Sequence, residues 1–161
     1  MPTIFTEGDM FADPSLQAFA FGCTTQGKLD AGVAVAFKKQ FPGLEDEYKK
    51  RCEDGRFSLG DVLVHVDGAR TVYALALQAH WKSKAKLAAL ERSLARTVEL
   101  ATHAGIPRIG IPRIGTGLGG LEWRRVKSVA AEIGATTPIE LVVYEKFVRG
   151  LVLGEPEVED A

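Results

Sequence analysis

Between Pro112 and Trp123 four glycines fall within six residues, at Gly115, Gly117, Gly119 and Gly120, with no charged side chain among them. Glycine this dense is costly inside a helix or strand, so the stretch is a connection, and its flanks say of what kind. Arg108 to Ile111 alternates as a short strand would, and Trp123 to Ile133 carries apolar residues at helical spacing. A strand, a glycine turn and a helix start in that order bring unshielded backbone N–H groups beside a helix N-terminus, an arrangement that converges on an anion. A tight turn with no ligand is the plainer alternative, and it suits one glycine better than four. The loop has no lysine after its last glycine, as a Walker loop needs, and it does not open a first βα unit, as a Rossmann fingerprint does.

The rest of the chain supplies alternating elements. Ile4-Phe5-Thr6 is β-prone and leads to Gly8 and Asp9, a turn that leaves a carboxylate at a strand end. Leu16 to Gly22 is apolar almost throughout, as a strand buried on both faces is. It leads into the polar loop Cys23 to Asp30, after which the spacing predicts a helix from Gly32 to Phe41, burying Val33, Val35, Ala36 and Phe37 and stopped by Pro42-Gly43. Leu44 to Cys52 reads as a charged helix with a solvated face. Asp61 to Val66, the turn Asp67-Gly68 and Thr71 to Leu77 read as a hairpin. Ser83 is the expected N-cap of a long helix from Lys84 to Ala104, with Leu87, Leu90, Leu94, Val98 and Ala101 as its core stripe. Val126, Val129, Ala130 and Ile133 mark the buried side of a last helix that Gly134 should end, and Ile139 to Tyr144 is a final strand.

Strands alternating with helices imply an α/β chain with helices on both faces of a sheet. In such open sheets ligands bind beyond the carboxyl ends of the strands. The loops after Gly22, after Leu77 and after Ile111 all leave strands in that sense, so one site can use all three.

At 161 residues, with 46% hydrophobic and 25% charged, the chain suits one domain. Its net charge of −1 gives no electrostatic case for nucleic acid or an acidic membrane. Cys23 and Cys52 are too few for a disulfide framework and show no metal-ligand spacing with His65, His80 or His103. With no membrane-length apolar run and no signal pattern, a cytoplasmic monomer free of metal and cofactor is the expectation.

Three segments together resemble a known family: Gly8-Asp9-Met10-Phe11, then Ala31-Gly32-Val33-Ala34 leading into Phe37 to Pro42, and Pro112 through Trp123. They are similar to the ADP-ribose-binding macrodomain, and within it to the subgroup of the terminal ADP-ribose glycohydrolase, DarG and the ALC1-like macrodomain. The likeness runs from Ile4 to Tyr144, which sets a macrodomain over 1–148 and an acidic tail over 149–161. It implies a three-layer α/β/α fold around a central mixed sheet. It also implies a ligand, ADP-ribose, and a partner class, mono-ADP-ribosylated proteins, with ADP-ribosylated DNA left open.

Carried over by position, Asp9 would accept from the adenine amine with Met10 beside it. Ala31, Gly32, Val33 and Ala34 would hold a phosphate and the distal ribose, with Thr25 and Gln26 near that ribose. Pro112, Ile114, Gly115, Thr116, Gly117, Leu118 and Gly119 would wrap the other side of the diphosphate. The departures bear on mechanism. The lysine of hydrolases in this subgroup falls on Gln78, whose amide cannot form a Schiff base, and the aspartate of the human glycohydrolase falls on Gly119. The early loop offers Thr24, Thr25 and Gln26 where other hydrolytic macrodomains have asparagine. Asp30, beside the phosphate-binding helix start, is the candidate base, and Gln78, with His80, a candidate for orienting water or ribose. The expected activity is hydrolytic removal of mono-ADP-ribose from acidic side chains; the alternatives are a non-catalytic ADP-ribose reader and an ADP-ribose-1″-phosphate phosphatase.

Overall fold

Strands whose residues are apolar on both faces need cover on both sides, and this chain supplies two helices for each. The structure, a computed structural model, describes residues 1–116 and 119–153. Its elements in chain order are β1 (Ile4–Gly8), β2 (Ala18–Thr24), α1 (Val33–Gln40), α2 (Leu44–Glu53), β3 (Val62–Asp67), β4 (Arg70–Gln78), α3 (Leu87–His103), β5 (Arg108–Pro112), α4 (Trp123–Ala135) and β6 (Glu140–Phe147). The strands form one sheet in the order β1-β6-β5-β2-β4-β3. All pairings are parallel except the β3–β4 hairpin, so the sheet is mixed.

Residue alternation sorts the two cores. In β2, Ala18 and Ala20 face one side while Phe19 and Phe21 face the other; in β4, Tyr73, Leu75 and Leu77 oppose Val72, Ala74 and Ala76. The first side packs against Leu90, Leu94 and Ala101 of α3 and Val126, Val129 and Ala130 of α4. The second packs against Phe37 of α1, Leu44 and Tyr48 of α2, and Phe41 between them. There Phe21 stacks on Phe37 at 4.3 Å between ring centroids. The result is the expected α/β/α sandwich. Among the described residues no helix is long and apolar enough to cross a membrane.

Two local expectations are corrected. Ser83 caps no helix: α3 begins at Leu87 with Lys86 at its N-cap position and no side-chain cap. The backbone before it is already spoken for, because the Ala85 N–H donates to the Gly119 carbonyl at 2.8 Å and the Lys86 N–H to Leu77 at 2.9 Å. Ser83 instead closes a turn, its hydroxyl donating to the His80 carbonyl at 2.7 Å. Nor does Gly134 end α4, which runs on to Ala135. A side chain there would collide with Thr3, so the glycine serves the close approach of the chain's start to the helix.

At the other end of the chain, residues following β6 fold back over the end of β1. The Asp9 N–H donates to the Leu151 carbonyl at 2.7 Å and the Val148 N–H to Gly8 at 3.0 Å. The acidic stretch 154–161, expected as a frayed tail, lies outside the described residues.

Candidate active site

Because β5, β2 and β4 are adjacent and parallel, their carboxyl ends deliver three loops to one edge of the sheet. The loops enclose a cavity of about 690 Å³, within the usual range of about 300–1,000 Å³ for small-molecule sites. Its walls come from Gly22 to Ala34, from Leu77, Gln78 and Trp81, and from Arg113 to Thr116 with Gly119.

On one wall stands the start of α1. Gly32 occupies its N-cap with φ 62° and no side chain caps the helix. A Cβ on Gly32 would meet nothing within 4 Å, so the space beyond it belongs to the cavity rather than to packing. Uncapped N–H groups at a helix start attract an anion. Val33, Val35 and Ala36, expected as core, are only half-buried while Phe37 alone in α1 is fully covered; of the three, Val33 lines the cavity.

The glycine loop forms the facing wall. Gly115 takes φ 74° and its carbonyl accepts the Leu121 N–H at 2.8 Å, which closes the loop on itself. Gly119 has a different reason for being glycine. A Cβ there would lie 2.7 Å from the Gly115 carbonyl oxygen, 3.0 Å from Ala85 Cβ and 3.1 Å from Gln78 Oε1. No aspartate fits in this conformation, which gives the departure at this position a steric cause. Gly117 and Leu118 lie outside the described residues.

The floor holds Gln78, at the end of β4. Its amide Nε2 donates to the carbonyls of His80 at 3.1 Å and Ser83 at 3.0 Å. Both donors are thereby committed to holding the loop that follows, and only Oε1 is left to face the cavity. Asp30, exposed, lines the mouth. Cys23 also lines the cavity, but burial pushes its thiol far above the ordinary value, and the thiol donates to the Leu75 carbonyl at 3.4 Å. A neutral, engaged thiol is no nucleophile.

Other expected residues are placed differently. Thr25 and Gln26 brace one loop against another: the Thr25 hydroxyl donates to the Ala79 carbonyl at 2.9 Å, and Gln26 Oε1 accepts the Trp81 N–H at 3.1 Å. Gln26 still lines the cavity, whereas Thr25 and Pro112 do not. His80 accepts the Lys82 N–H on Nδ1 at 3.1 Å and serves its own turn. Asp9 and Met10 sit farther along the same edge, beyond β1. Met10 is 2% exposed in the α1 core. The Asp9 carboxylate accepts the Phe11 N–H at 3.0 Å and the Gly150 N–H at 3.1 Å. Two lone-pair directions remain free on it for a further donor. From β1 to β4 the edge spans four interstrand steps, about 19 Å, room for a ligand with a base at one end and a sugar at the other.

Lys28, Trp81 and Arg113 line the cavity and were not singled out from sequence. Arg113 lies over the Trp123 ring, its guanidinium carbon 4.9 Å from the centroid. The available signal was compositional: an exposed tryptophan in a polar loop, and an arginine one residue past a strand end.

A glycine cradle facing an open helix start at the carboxyl edge of a mixed α/β/α sheet defines a ligand-binding domain of macrodomain type. The chain matches the Macro domain family over residues 22–130 and belongs to it. It is similar to the human ADP-ribose glycohydrolase OARD1, with 29% identity over 140 residues covering 87% of this chain and 89% of that protein. It is also 30% identical over 146 residues to the DNA ADP-ribosyl glycohydrolase of Thermus aquaticus, covering 88% of this chain but only 40% of that longer protein. Among solved structures, the macrodomain of Thermus aquaticus DarG superposes with a TM-score of 0.80 at 28% identity, over 89% of this chain and 97% of that one.

Proposed function

We propose that this macrodomain binds ADP-ribose and hydrolytically removes mono-ADP-ribose from acidic side chains of modified proteins. The observation that carries the reading is one cavity of about 690 Å³ lined both by the α1 start at Gly32, which no side chain caps, and by Gly115, Thr116 and Gly119 of the glycine loop. A diphosphate between them would meet backbone donors from both sides. The relatedness to glycohydrolases, one of them matched along nearly its whole length, supports turnover as well as binding.

Cleavage of a ribosyl ester needs a positioned water and stabilisation of the charge that develops on the ester oxygen or at C1″. The glycine-loop N–H groups supply fixed dipoles for the charge. Gln78 Oε1, with its own amide anchored by two carbonyls, accepts from a water and so orients it. Asp30, at the mouth, would take the proton; a general base contributes about 10²–10⁴-fold. The substrate's own phosphate is a second holder for the water. No covalent intermediate with the protein is required.

A reader that binds ADP-ribose without cleaving it is the second reading, and Gln78 is what favours it, since its side chain is spent largely on structure. The two separate in one experiment. The purified protein is mixed with a glutamate-linked mono-ADP-ribosylated protein and free ADP-ribose is followed against a no-enzyme control. Catalytic release is the expected outcome; binding of ADP-ribose with no release refutes the hydrolase and leaves the reader.

A further inference from the structure

The rim of the cavity continues outward into an exposed basic loop. Trp81 lines the mouth yet is 53% exposed. Its ring stacks on His80 at 5.8 Å between centroids, inclined by 26°, and is flanked by Lys82 Nζ at 5.0 Å from its centroid. An exposed indole beside a cavity mouth has an apolar face free to pack against a bound partner. The loop that bears it is firmly held, by Gln26 at Trp81, by Gln78 at His80 and Ser83, and by the Gly119 carbonyl at Ala85.

Beyond Trp81 the chain is extended around buried Ala85, which leaves Lys84 and Lys86 exposed on either side of it. Among the described residues none of Lys82, Lys84 and Lys86 forms an ion pair. In a chain of net charge −1 this is a local concentration of uncompensated positive charge. Asp30 lies on the cavity side, and Glu91, in α3, is exposed beyond it. Lys82, Lys84 and Lys86 thus form a short basic ledge beside the mouth.

We propose that this ledge, Trp81 through Lys86, docks the polypeptide that carries the ADP-ribose, and that it favours modification sites flanked by acidic residues. The inference rests on the pocket reading above. With ADP-ribose in the cavity, the attached chain leaves through the mouth and passes Trp81, whose face packs against a peptide plane or an aliphatic stem. The lysines then meet carboxylates of neighbouring residues. Chemistry favours a peptide over a nucleic-acid strand. The ledge offers compact ammonium groups and no arginine fork suited to phosphate, and it is too short for a long polyanion to follow.

The test uses peptides carrying ADP-ribose through a non-hydrolysable linkage, one flanked by glutamates and one by glutamines, titrated by calorimetry together with free ADP-ribose. Exposed ion pairs contribute about twofold each, so the wild-type protein should prefer the acidic peptide by roughly tenfold at low salt. That preference should shrink at about 1 M salt, where charges are screened beyond about 3 Å. The variant K82Q/K84Q/K86Q should lose the preference and keep wild-type affinity for free ADP-ribose. Equal affinity for the two peptides, or a preference that survives in the triple variant, overturns the ledge. So does tighter binding of an ADP-ribosylated oligonucleotide than of the acidic peptide when that binding is lost in the triple variant. If free ADP-ribose itself fails to bind, the pocket reading falls and the ledge with it. If it binds without any effect of the flanks, the ledge alone falls.

Discussion

Gln78 stands where the family resemblance implies a lysine in hydrolases, and its geometry makes a quantitative claim. Its amide holds the loop after β4 through two N–H···O bonds, 3.1 Å to His80 and 3.0 Å to Ser83. At about 1 kcal/mol for each neutral bond, Gln78→Ala should cost roughly 2 kcal/mol. For a chain of 161 residues each kcal/mol lowers Tm by about 2–4 °C, so the fall should be about 4–8 °C. Gln78→Glu should be worse at neutral pH, because it sets a carboxylate oxygen against two carbonyl oxygens with no donor between them. Acidification should narrow that gap, since a protonated carboxyl regains one donor. Gln78→Lys should melt near wild type, its ammonium having donors for both carbonyls. Thermal unfolding of the three variants, read beside ADP-ribose affinity and turnover, checks the ranking. Amide exchange over residues 79–83 should quicken in Gln78→Ala and Gln78→Glu. If Gln78→Ala melts with wild type while turnover collapses, the amide is a direct participant in the chemistry and the clamp reasoning is wrong.

Gly32→Glu would project a carboxylate into the cavity from a backbone at φ 62°. It opposes a helix-start interaction worth up to about 2 kcal/mol, so ADP-ribose affinity should fall at least about tenfold; undiminished affinity by calorimetry removes the α1 start from the site. Asp30→Ala should slow turnover by about 10²–10⁴-fold with ADP-ribose affinity unchanged if Asp30 is the base, and equal rates take it out of the mechanism. Gly119→Asp should destabilise by about 1–3 kcal/mol without gaining activity, because its Cβ meets the Gly115 carbonyl oxygen at 2.7 Å; faster turnover with an unchanged Tm refutes the steric account. Burial raises the Cys23 thiol above its ordinary 9.0 and the Tyr48 hydroxyl above its ordinary 10.0. In both cases the unfolded chain loses its proton first, so stability present below pH 9.0 should decline above it. Denaturant unfolding at rising pH should show that decline, and Cys23→Ala should flatten its first part; identical pH dependence of the two proteins contradicts the burial argument.

What could be read from sequence and what could not divides by how far apart the determining contacts lie. The six strands and four helices fall where period and punctuation put them, because alternation in Ala18 to Phe21 and the Leu90–Leu94 stripe are local consequences of burial. The two glycine-bearing walls of the cavity were legible for a similar reason: glycine at Gly32 and Gly115 is written into the backbone conformation itself. The two misplaced helix ends come from contacts distant in sequence. Ser83 looks like a cap until the Gly119 and Leu77 carbonyls take the N–H groups of Ala85 and Lys86. Gly134 looks like a stop until Thr3, from the other end of the chain, is packed against it. Half the load on Asp9 comes from Gly150, 141 residues away, which no window of sequence can weigh.

The same distinction bears on chemistry. A residue type at a loop position says what a side chain could do, and its tertiary partners decide how much of that capacity remains. Gln26 has lent its carbonyl oxygen to Trp81, and Gln78 both its N–H donors to His80 and Ser83. What is left lining the cavity is backbone, the Gln78 amide oxygen, the exposed Asp30 carboxylate and the cationic side chains of Lys28 and Arg113. On the proposed reading, that inventory suits a diphosphate and activates water sparingly. A catalyst built this way depends on positioning more than on a strong base. Loosening the loop at Gln78 should therefore cost turnover out of proportion to affinity.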